Sequence, residues 1–257
     1  MVLRVATWNV NSIKARLGIV KDWLEQHNPD VLLLQELKTA DFPEMEFWPL
    51  NYKMAVVPQK AYNGVAILSR RPMEVLHDKL PGDDEDLQAR FLEVRLENPT
   101  LHIICIYAPN GNPKDTPKFS YKIEWLKRLE KHLAGLLAQE IPFMVGGDFN
   151  IIPEDIDCYD PKAWLGDALF STEARACYRR LINMGLVDGF RVQHQEAGHY
   201  SFWDYQAGAW PMDHGIRIDY FLLSPELIDR MESCSIDKKP RGLEKASDHT
   251  PVLISLG

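Results

Sequence analysis

Apolar residues in this chain come in short, dense runs, and several runs end abruptly in amides, acids or aromatics. Val2 to Thr7 alternates weakly and is rich in β formers, which predicts a strand ended by Trp8-Asn9-Val10-Asn11. Ser12 is placed as the N-cap of a helix over Ile13 to His27, with Ile13, Leu17, Val20 and Leu24 on one face. Asn28-Pro29-Asp30 stops that helix, and Val31 to Gln35 reads as a fully apolar strand ending in Glu36. Two βα-type units therefore open the chain. After an aromatic, proline-containing loop (Asp41 to Asn51) come strands at Lys53–Val57 and Gly64–Ser69. They are joined by Ala61-Tyr62-Asn63-Gly64, where Asn-Gly signals a turn. Pro81 to Asp86 is an acidic surface loop. Phe91–Leu96 and Leu101–Tyr107 then form an antiparallel pair across Glu97-Asn98-Pro99-Thr100.

A lysine- and proline-rich loop, Asn112 to Lys118, leads into a helix from about Phe119 to Gln139. Its Lys122, Lys127, Arg128 and Lys131, partly matched by Glu124 and Glu130, read as a solvated face. Lys114 and Lys118, just ahead of it, are placed to meet phosphates. Ile141 to Val145 is a buried strand, and Gly146-Gly147 are expected to turn the backbone tightly at its end. Asp148 and Asn150 then lie on a loop at the strand's C-terminal end, where open α/β sheets put their chemistry. Alone, this stretch is equally well a strand followed by an ordinary polar turn. Beyond an irregular segment, Ile152 to Phe170, the pattern gives a helix at Thr172–Met184 and strands at Gly198–Tyr205 and Ile216–Leu223. A basic loop, Ile236 to Lys245, follows, and Ser247-Asp248-His249 precedes a last strand, Thr250–Ile254. No short-period repeat, low-complexity tract or long linker divides the chain, which favours one domain.

Composition narrows the class. With 257 residues, 46% hydrophobic and 26% charged, the chain is ordinary globular material with enough length for a large core. Its apolar runs fall short of the roughly 18 residues a membrane helix needs. The opening MVLRVATWNV runs straight into strand-like sequence and is neither signal nor transit peptide. Cys105, Cys158, Cys177 and Cys234 lack CxxC spacing, so they read as unpaired thiols of a cytoplasmic protein, with no zinc site. A net charge of -8 argues mildly against a nucleic-acid partner, although bound cations offset acidic residues locally.

The recurrence of polar strand ends carries the chemistry. Runs end at Trp8-Asn9, Gln35-Glu36, Tyr107, Gly147-Asp148-Phe149-Asn150 and just before Ser247-Asp248-His249, and Asp219 sits within RIDYFLL. If the strands come from two packed sheets, one rim collects Glu36, Asp148, Asp219 and Asp248 with two amides, a tyrosine and a histidine. Clustered carboxylates repel and are tolerated around a hard divalent cation. Oxygen ligands without a His/Cys cluster point to Mg²⁺ or Mn²⁺ rather than Zn²⁺. One His beside an Asp, with a Tyr, then suits phosphodiester hydrolysis. A Ser247-Asp248-His249 triad fails because adjacent residues of an extended chain point to opposite sides. No GxSxG elbow or Walker loop is present. In isolation Asp219 reads first as a structural partner of Arg217 or Tyr220, a reading that only the RIDYFLLS context reverses, and Trp8 and Phe149 are core.

WNVN (8–11), LQELK (34–38), YNGVAILSR (62–70), YAPNG (107–111), GGDFN (146–150), RIDYFLLS (217–224) and SDHTPV (247–252) resemble, in order, the motifs of the exonuclease III family. That family comprises bacterial exodeoxyribonuclease III and the apurinic/apyrimidinic endonucleases, within the endonuclease/exonuclease/phosphatase superfamily that includes DNase I. The resemblance implies a four-layer α/β sandwich, two packed mixed sheets flanked by helices, with the site at one rim. It implies Mg²⁺-dependent hydrolysis, with Mn²⁺ as a substitute, of the phosphodiester 5′ to abasic sites in duplex DNA. Removal of nucleotides from 3′ ends and clearance of blocked 3′ termini are implied beside it, by a monomer that needs no membrane.

Residue by residue, Glu36 matches the family's metal-binding glutamate, with Asn9 beside it. Asp148 matches the aspartate that activates or orients water, and Asn150 the amide that places it; both also stand near the metal. Asp219 matches the partner of the histidine, and His249 the histidine at the scissile phosphate and metal. Asp248 matches a second-site metal ligand, and Tyr107 the tyrosine near the leaving oxygen. Lys38 and Asn110 match positions that support the phosphate, and Tyr62, Asn63 and Gly64 a turn that grips the DNA backbone. Phe202 matches an aromatic of the abasic-sugar pocket.

Departures are specific. Asn11 replaces an aspartate of some relatives, and Ile216 stands at the pocket's other wall where the human-type enzyme has tryptophan. The segment 206–214 is individual to this chain, with Trp210 and Met212 either wedging into the base stack or packing as a loop. Two alternatives stay open: another superfamily phosphodiesterase or phosphatase, and a non-catalytic nucleic-acid-binding regulator. Tyr107 disfavours the first, since DNase I-like members carry a histidine there, and the intact acids and histidine disfavour the second.

Overall fold

The computed structural model describes residues 2–97 and 99–257. In chain order the elements are β1 (Leu3–Asn9), α1 (Ile13–His27), β2 (Val31–Gln35), β3 (Lys53–Val57), β4 (Val65–Ser69), β5 (Met73–His77), β6 (Phe91–Glu97) and β7 (Thr100–Tyr107). There follow α2 (Pro117–Ala138), β8 (Phe143–Asp148), α3 (Thr172–Asn183), β9 (Val187–Asp188), α4 (Gly189–Gln193), β10 (Asp219–Leu223), α5 (Pro225–Ile228), β11 (Met231–Ile236) and β12 (Val252–Leu256). Asn98, in the turn expected between β6 and β7, lies outside the described residues. Among the described residues no helix is long and apolar enough to cross a membrane.

Two six-stranded mixed sheets, ordered β11-β12-β1-β2-β4-β3 and β5-β6-β7-β8-β10-β9, pack face to face. Their inner faces share one core, in which Leu3, Val5, Leu33 and Ile67 meet Val94, Ile103, Met144 and Phe221. The outer face of the first sheet is covered by Val20, Trp23 and Leu24 of α1. On the second sheet Trp125, Leu126, Leu129 and Leu133 of α2 and Cys177, Tyr178 and Leu181 of α3 do the same. This is the expected four-layer α/β sandwich.

The topology decides where the polar strand ends meet. Each sheet is centred on a parallel pair joined by a helix: β1–α1–β2 in one and β7–α2–β8 in the other. Parallel neighbours deliver their C-terminal ends to the same side. Asn9 is therefore level with Gln35, and Tyr107 with Asp148. β10 runs antiparallel to β8 and begins there, with Asp219 opposite Asp148. β12 runs antiparallel to β1, with Val252 opposite Thr7, so Ser247 to His249 just ahead of it reach the same rim.

Several expected boundaries move, for physical reasons. β8 does not stop at Val145; it runs on through Gly146, Gly147 and Asp148, paired on both sides. The glycines make room within the strand instead of ending it. A Cβ on Gly146 would lie 2.8 Å from Leu33 Cδ1 of the facing sheet, and one on Gly147 2.0 Å from the Ile106 carbonyl oxygen. Only the first opening unit is βα: β2 leads into single 3₁₀ turns at Glu44–Glu46 and Trp48–Leu50. Buried Phe42, Phe47 and Tyr52 cover the sheet there in place of a helix. Ser12 occupies the N-cap position without capping by its side chain; its N–H donates to the Glu36 carbonyl at 2.8 Å.

Gly198–Tyr205 is not a strand. Only Phe202 forms isolated bridges, to Ile216 and His249, because the Ser201 hydroxyl takes up the N–H groups of Ile218 (3.1 Å) and Asp219 (3.0 Å) that a ladder would use. The strand expected from Ile216 accordingly begins only at Asp219. Replacing Gly146 by alanine should overpack the contact between the sheets and lower stability by about 1–3 kcal/mol, to be read from the urea unfolding midpoint.

Candidate active site

At the shared rim a cavity of about 350 Å³ is lined by Glu36, Tyr107, Asp148, Asn150, Asp248 and His249, with Trp164, Leu169, Phe202 and Ile218 among its apolar residues. The buried Asn9 amide ties the acids together, donating to Glu36 Oε1 at 2.9 Å and Asp148 Oδ2 at 3.0 Å. Its own oxygen accepts the Asn11 N–H at 3.0 Å. Lys38 Nζ lies 2.6 Å from Glu36 Oε2 and donates to Asn11 Oδ1 at 2.5 Å. Asn11 in turn donates to Asp248 Oδ1 at 3.1 Å. The departure at Asn11 thus bridges Lys38 and Asp248.

His249 is held from behind. Its Nδ1 lies 2.8 Å from Asp219 Oδ2, which also accepts the Ser201 hydroxyl at 2.6 Å. Its Nε2 lies 3.8 Å from Asp148 Oδ2. Burial works against the charged imidazole, but the Asp219 and Asp148 carboxylates outweigh it and push His249 up to about 10. Burial, reinforced by Asp219 and Glu36, pushes Asp148 up to about 7 despite the opposing pull of His249. Glu36 moves the other way: Lys38 and the Asn9 amide overcome burial and hold it below its ordinary value. Burial and the same two acids, Glu36 and Asp148, raise the Tyr107 phenol, so it stays protonated as a donor. Asp219 is not a partner of Arg217, which pairs with Asp157 at 2.6 Å and Asp188 at 2.8 Å.

Asn150 is fixed by local bonds. Its N–H donates to Asp148 Oδ1 at 2.8 Å, its side-chain amide donates to the Ala108 carbonyl at 2.9 Å, and its oxygen accepts from Asn110 at 3.2 Å. Phe149 between them is fully buried and stacks on Tyr220 at 4.1 Å. Trp8, also buried, donates to the His249 carbonyl at 3.3 Å. A second cavity of about 600 Å³ adjoins the rim and is lined by Lys38, Tyr62, Asn63, Arg90, Asn110 and Lys118, among others. Tyr62 is exposed there and Asn63 is buried, donating to Gln59 and Gln88. Gly64, at φ +90, brings its backbone against Leu37.

Glu36, Lys38, Asn11, Asn63 and Asn150 all have left-handed backbones, with φ between 44 and 55. Such conformations cost non-glycine residues roughly 1–3 kcal/mol each and cluster where function over-determines them.

Glu36 and Asp148 form a cation cradle, with the His249 imidazolium beside it. One ligand atom each from Glu36, Asp148 and His249 lie within 4.8 Å of one another. Two carboxylates sharing one amide donor, in a mainly oxygen donor set, suit a hard divalent cation. Asp219 lies behind His249 and outside that group; Asp248 sits on the rim beside it.

Other expected residues are placed differently. Ile216 is fully buried and bridged to Phe202 and Cys158, so it backs Phe202 instead of walling the cavity. Phe202 faces the His249 ring at 4.9 Å, and Trp164 joins it in the apolar lining. Trp210 packs on Trp203 at 5.0 Å and under Arg241, while Met212 is exposed. Lys114 pairs with Glu173 at 3.2 Å, and Lys118 stays exposed.

Lys122 overturns the solvated reading of its helix face. It is fully buried and donates to the carbonyls of Asn110 (3.0 Å), Asn150 (2.6 Å) and Ala168 (3.2 Å). It thereby pins three loops of the site at once. The signal was present: Lys122 precedes Trp125, Leu126 and Leu129 at helical spacing, on the apolar stripe. Arg90, stacked over the Tyr107 ring at 4.7 Å, and Ser201 behind Asp219 left no such mark in the sequence.

With this geometry in place, the comparisons with known proteins are specific. The sequence profile of the endonuclease/exonuclease/phosphatase family matches residues 6–249. Exodeoxyribonuclease III of Haemophilus influenzae is 33% identical over 97% of this chain and 98% of its own. An AP endonuclease from Archaeoglobus fulgidus superposes with a TM-score of 0.93 at 35% identity, covering 98% of each chain. The 3′ phosphatase NExo from Neisseria, bound to product DNA hairpin, gives a TM-score of 0.95 at 34% identity over 99% of each. The chain belongs to the endonuclease/exonuclease/phosphatase family, on its exodeoxyribonuclease III branch.

Replacing Lys122 by methionine leaves three carbonyls without their donor. We expect a loss of roughly 2–3 kcal/mol, since one unsatisfied buried group alone costs ~1–3 kcal/mol, measurable by urea unfolding. Burial lowers Lys122 from 10.5 to about 7, so between those values the unfolded chain binds a proton that the folded one does not. Stability then rises with pH across that window, and wild type should gain on the methionine variant between pH 7 and 10.

Proposed function

We propose that this nuclease hydrolyses the phosphodiester 5′ to abasic sites in duplex DNA, leaves a 3′-hydroxyl, and also removes nucleotides and blocking groups from 3′ ends. The observation that carries the reading is the run Asp219–His249–Asp148–Asn9–Glu36, in which an imidazolium lies between two buried acids beside a cation cradle. Glu36 and Asp148, tied by Asn9, would hold Mg²⁺ or Mn²⁺, and Asp248 offers a further carboxylate on the same rim. Such an ion, when bound, neutralises the acids and the negative phosphate oxygens.

The remaining steps belong to the chain's own groups. Asp148 accepts a proton from the attacking water, and the Asn150 N–H on its Oδ1 keeps the carboxylate aimed. His249, kept protonated by Asp219, donates through Nε2 to a phosphate oxygen and spreads the developing charge. Tyr107 remains a phenol and supplies a proton donor toward the leaving oxygen. Phe202 and Trp164 face the cavity with apolar surface that fits a sugar lacking its base, while Tyr62, Asn63, Gly64, Lys38 and Asn110 meet the backbone in the adjoining cavity. Arg90 holds the Tyr107 ring in place. The whole chain acts as one catalytic unit.

A duplex with a single abasic analogue should be incised 5′ to the lesion with Mg²⁺ and not with EDTA, as resolved on a denaturing gel. Absence of Mg²⁺-dependent incision would refute the reading, and release of phosphate from a 3′-phosphorylated duplex tests the end-clearing activity separately. Asp148→Asn should slow incision by roughly 10²–10⁴-fold while binding to the uncut duplex survives. Cleavage by that variant at near wild-type rate would remove Asp148 from the water-activating role.

A further inference from the structure

His194, Glu196 and His199 lie on the segment that leaves α4, and they share no residue with the rim. One ligand atom from each falls within 4.8 Å of the other two. His194 Nδ1 is 3.7 Å from Glu196 Oε1, and His199 Nε2 is 2.8 Å from the same oxygen. Two ligands about 2.0–2.1 Å from a tetrahedral ion stand some 3.3–3.5 Å apart, so modest side-chain rotation brings this set to coordinating distance.

The orientation of the first histidine is set from outside. His194 Nε2 is 3.0 Å from the Cys234 carbonyl, which only accepts, so Nε2 carries the hydrogen. Nδ1 is the atom that faces the Glu196 carboxylate, so a cation between them would be met by the neutral ring's free lone pair. A ligating histidine whose other nitrogen donates to a backbone carbonyl is the usual outer-shell pattern of a metal site. The rings are also braced: His194 stacks on Phe190 at 4.3 Å, and His199 meets the same ring edge-on at 5.2 Å. Arg191, itself paired with buried Asp157, donates to the carbonyls of both His194 and Glu196 at 2.9 Å. The backbone that carries two of the ligands is therefore tied down before any ion arrives.

We infer that His194, Glu196 and His199 form a second metal site for a borderline divalent cation such as Zn²⁺ or Co²⁺. Two imidazoles and one carboxylate favour such ions over Mg²⁺. A fourth position toward solvent is left for water. The ion would fasten the segment that continues through Tyr200 to Ser201, whose hydroxyl buttresses Asp219. This assignment is independent of the substrate proposed for the rim.

The test titrates Co²⁺ into the untagged full-length protein in excess Mg²⁺ and follows the visible absorption of cobalt in a nitrogen–oxygen site. Wild type should take up one saturable equivalent and should melt at higher temperature with it. Glu196→Gln and His199→Ala should each weaken uptake at least about tenfold while leaving the metal-free melting temperature unchanged. Glu36→Gln, which disturbs only the rim, should retain the cobalt. No saturable uptake in excess Mg²⁺ would overturn the proposal. So would uptake that Glu36→Gln abolishes and that His199→Ala and Glu196→Gln leave intact, because the ion would then sit at the rim.

Discussion

Two buried carboxylates set the terms for the rest of this molecule. Asp148 ends β8 and Asp219 begins β10 directly opposite it in the ladder, so the fold itself forces like charges into one water-poor place. Such a pair is untenable unless a positive charge or a proton joins it. His249 meets that demand: its ring bonds one acid and faces the other, and each acid supports the charge on the imidazole. Glu36 is drawn into the same balance through Asn9, and Lys38 offsets it in turn. The rim is thus a chain of mutually dependent protonation states, and an added dication or phosphate would rearrange all of it.

That rim exists because two βαβ crossovers face each other across the inner core. Parallel pairing lays Asn9 beside Gln35 and Tyr107 beside Asp148, and the antiparallel neighbours fill in from the other direction. Beneath it, basic side chains act as fasteners. Lys122 gathers three carbonyls, and Arg217 binds Asp157 and Asp188 in a fully buried cluster. Both are costly to desolvate, and removing one partner of a buried ion pair costs about 3–5 kcal/mol. They hold irregular loops at fixed positions where regular secondary structure is absent.

Much of this was legible in the sequence. An apolar run that stops at Glu36 marks a strand end, and the order of the motifs gave the two sheets and their common rim. The rest depends on contacts that no local pattern encodes. Gly146 and Gly147 look like a turn because glycine is permissive, yet Phe221, Leu33 and Ile106 require them inside a strand. Ser201 looks like an alternating strand position, yet its hydroxyl replaces the ladder. Ile216 occupies the sequence position of a wall residue, and burial under Phe202 removes it from the cavity. Lys122 looks solvated because it carries an amine, although its neighbours at helical spacing are apolar.

The left-handed residues at 11, 36, 38, 63 and 150 bear on how such a chain evolves. At each, glycine would relieve the backbone, so selection for thermal robustness alone pulls these positions toward glycine. The ion pair and hydrogen bonds that these side chains and backbones make at the rim pull the other way. The site is therefore the region where mutational drift and function compete most directly. A lineage released from its repair duty would be expected to lose these residues early, while the sandwich that carried them grew more stable.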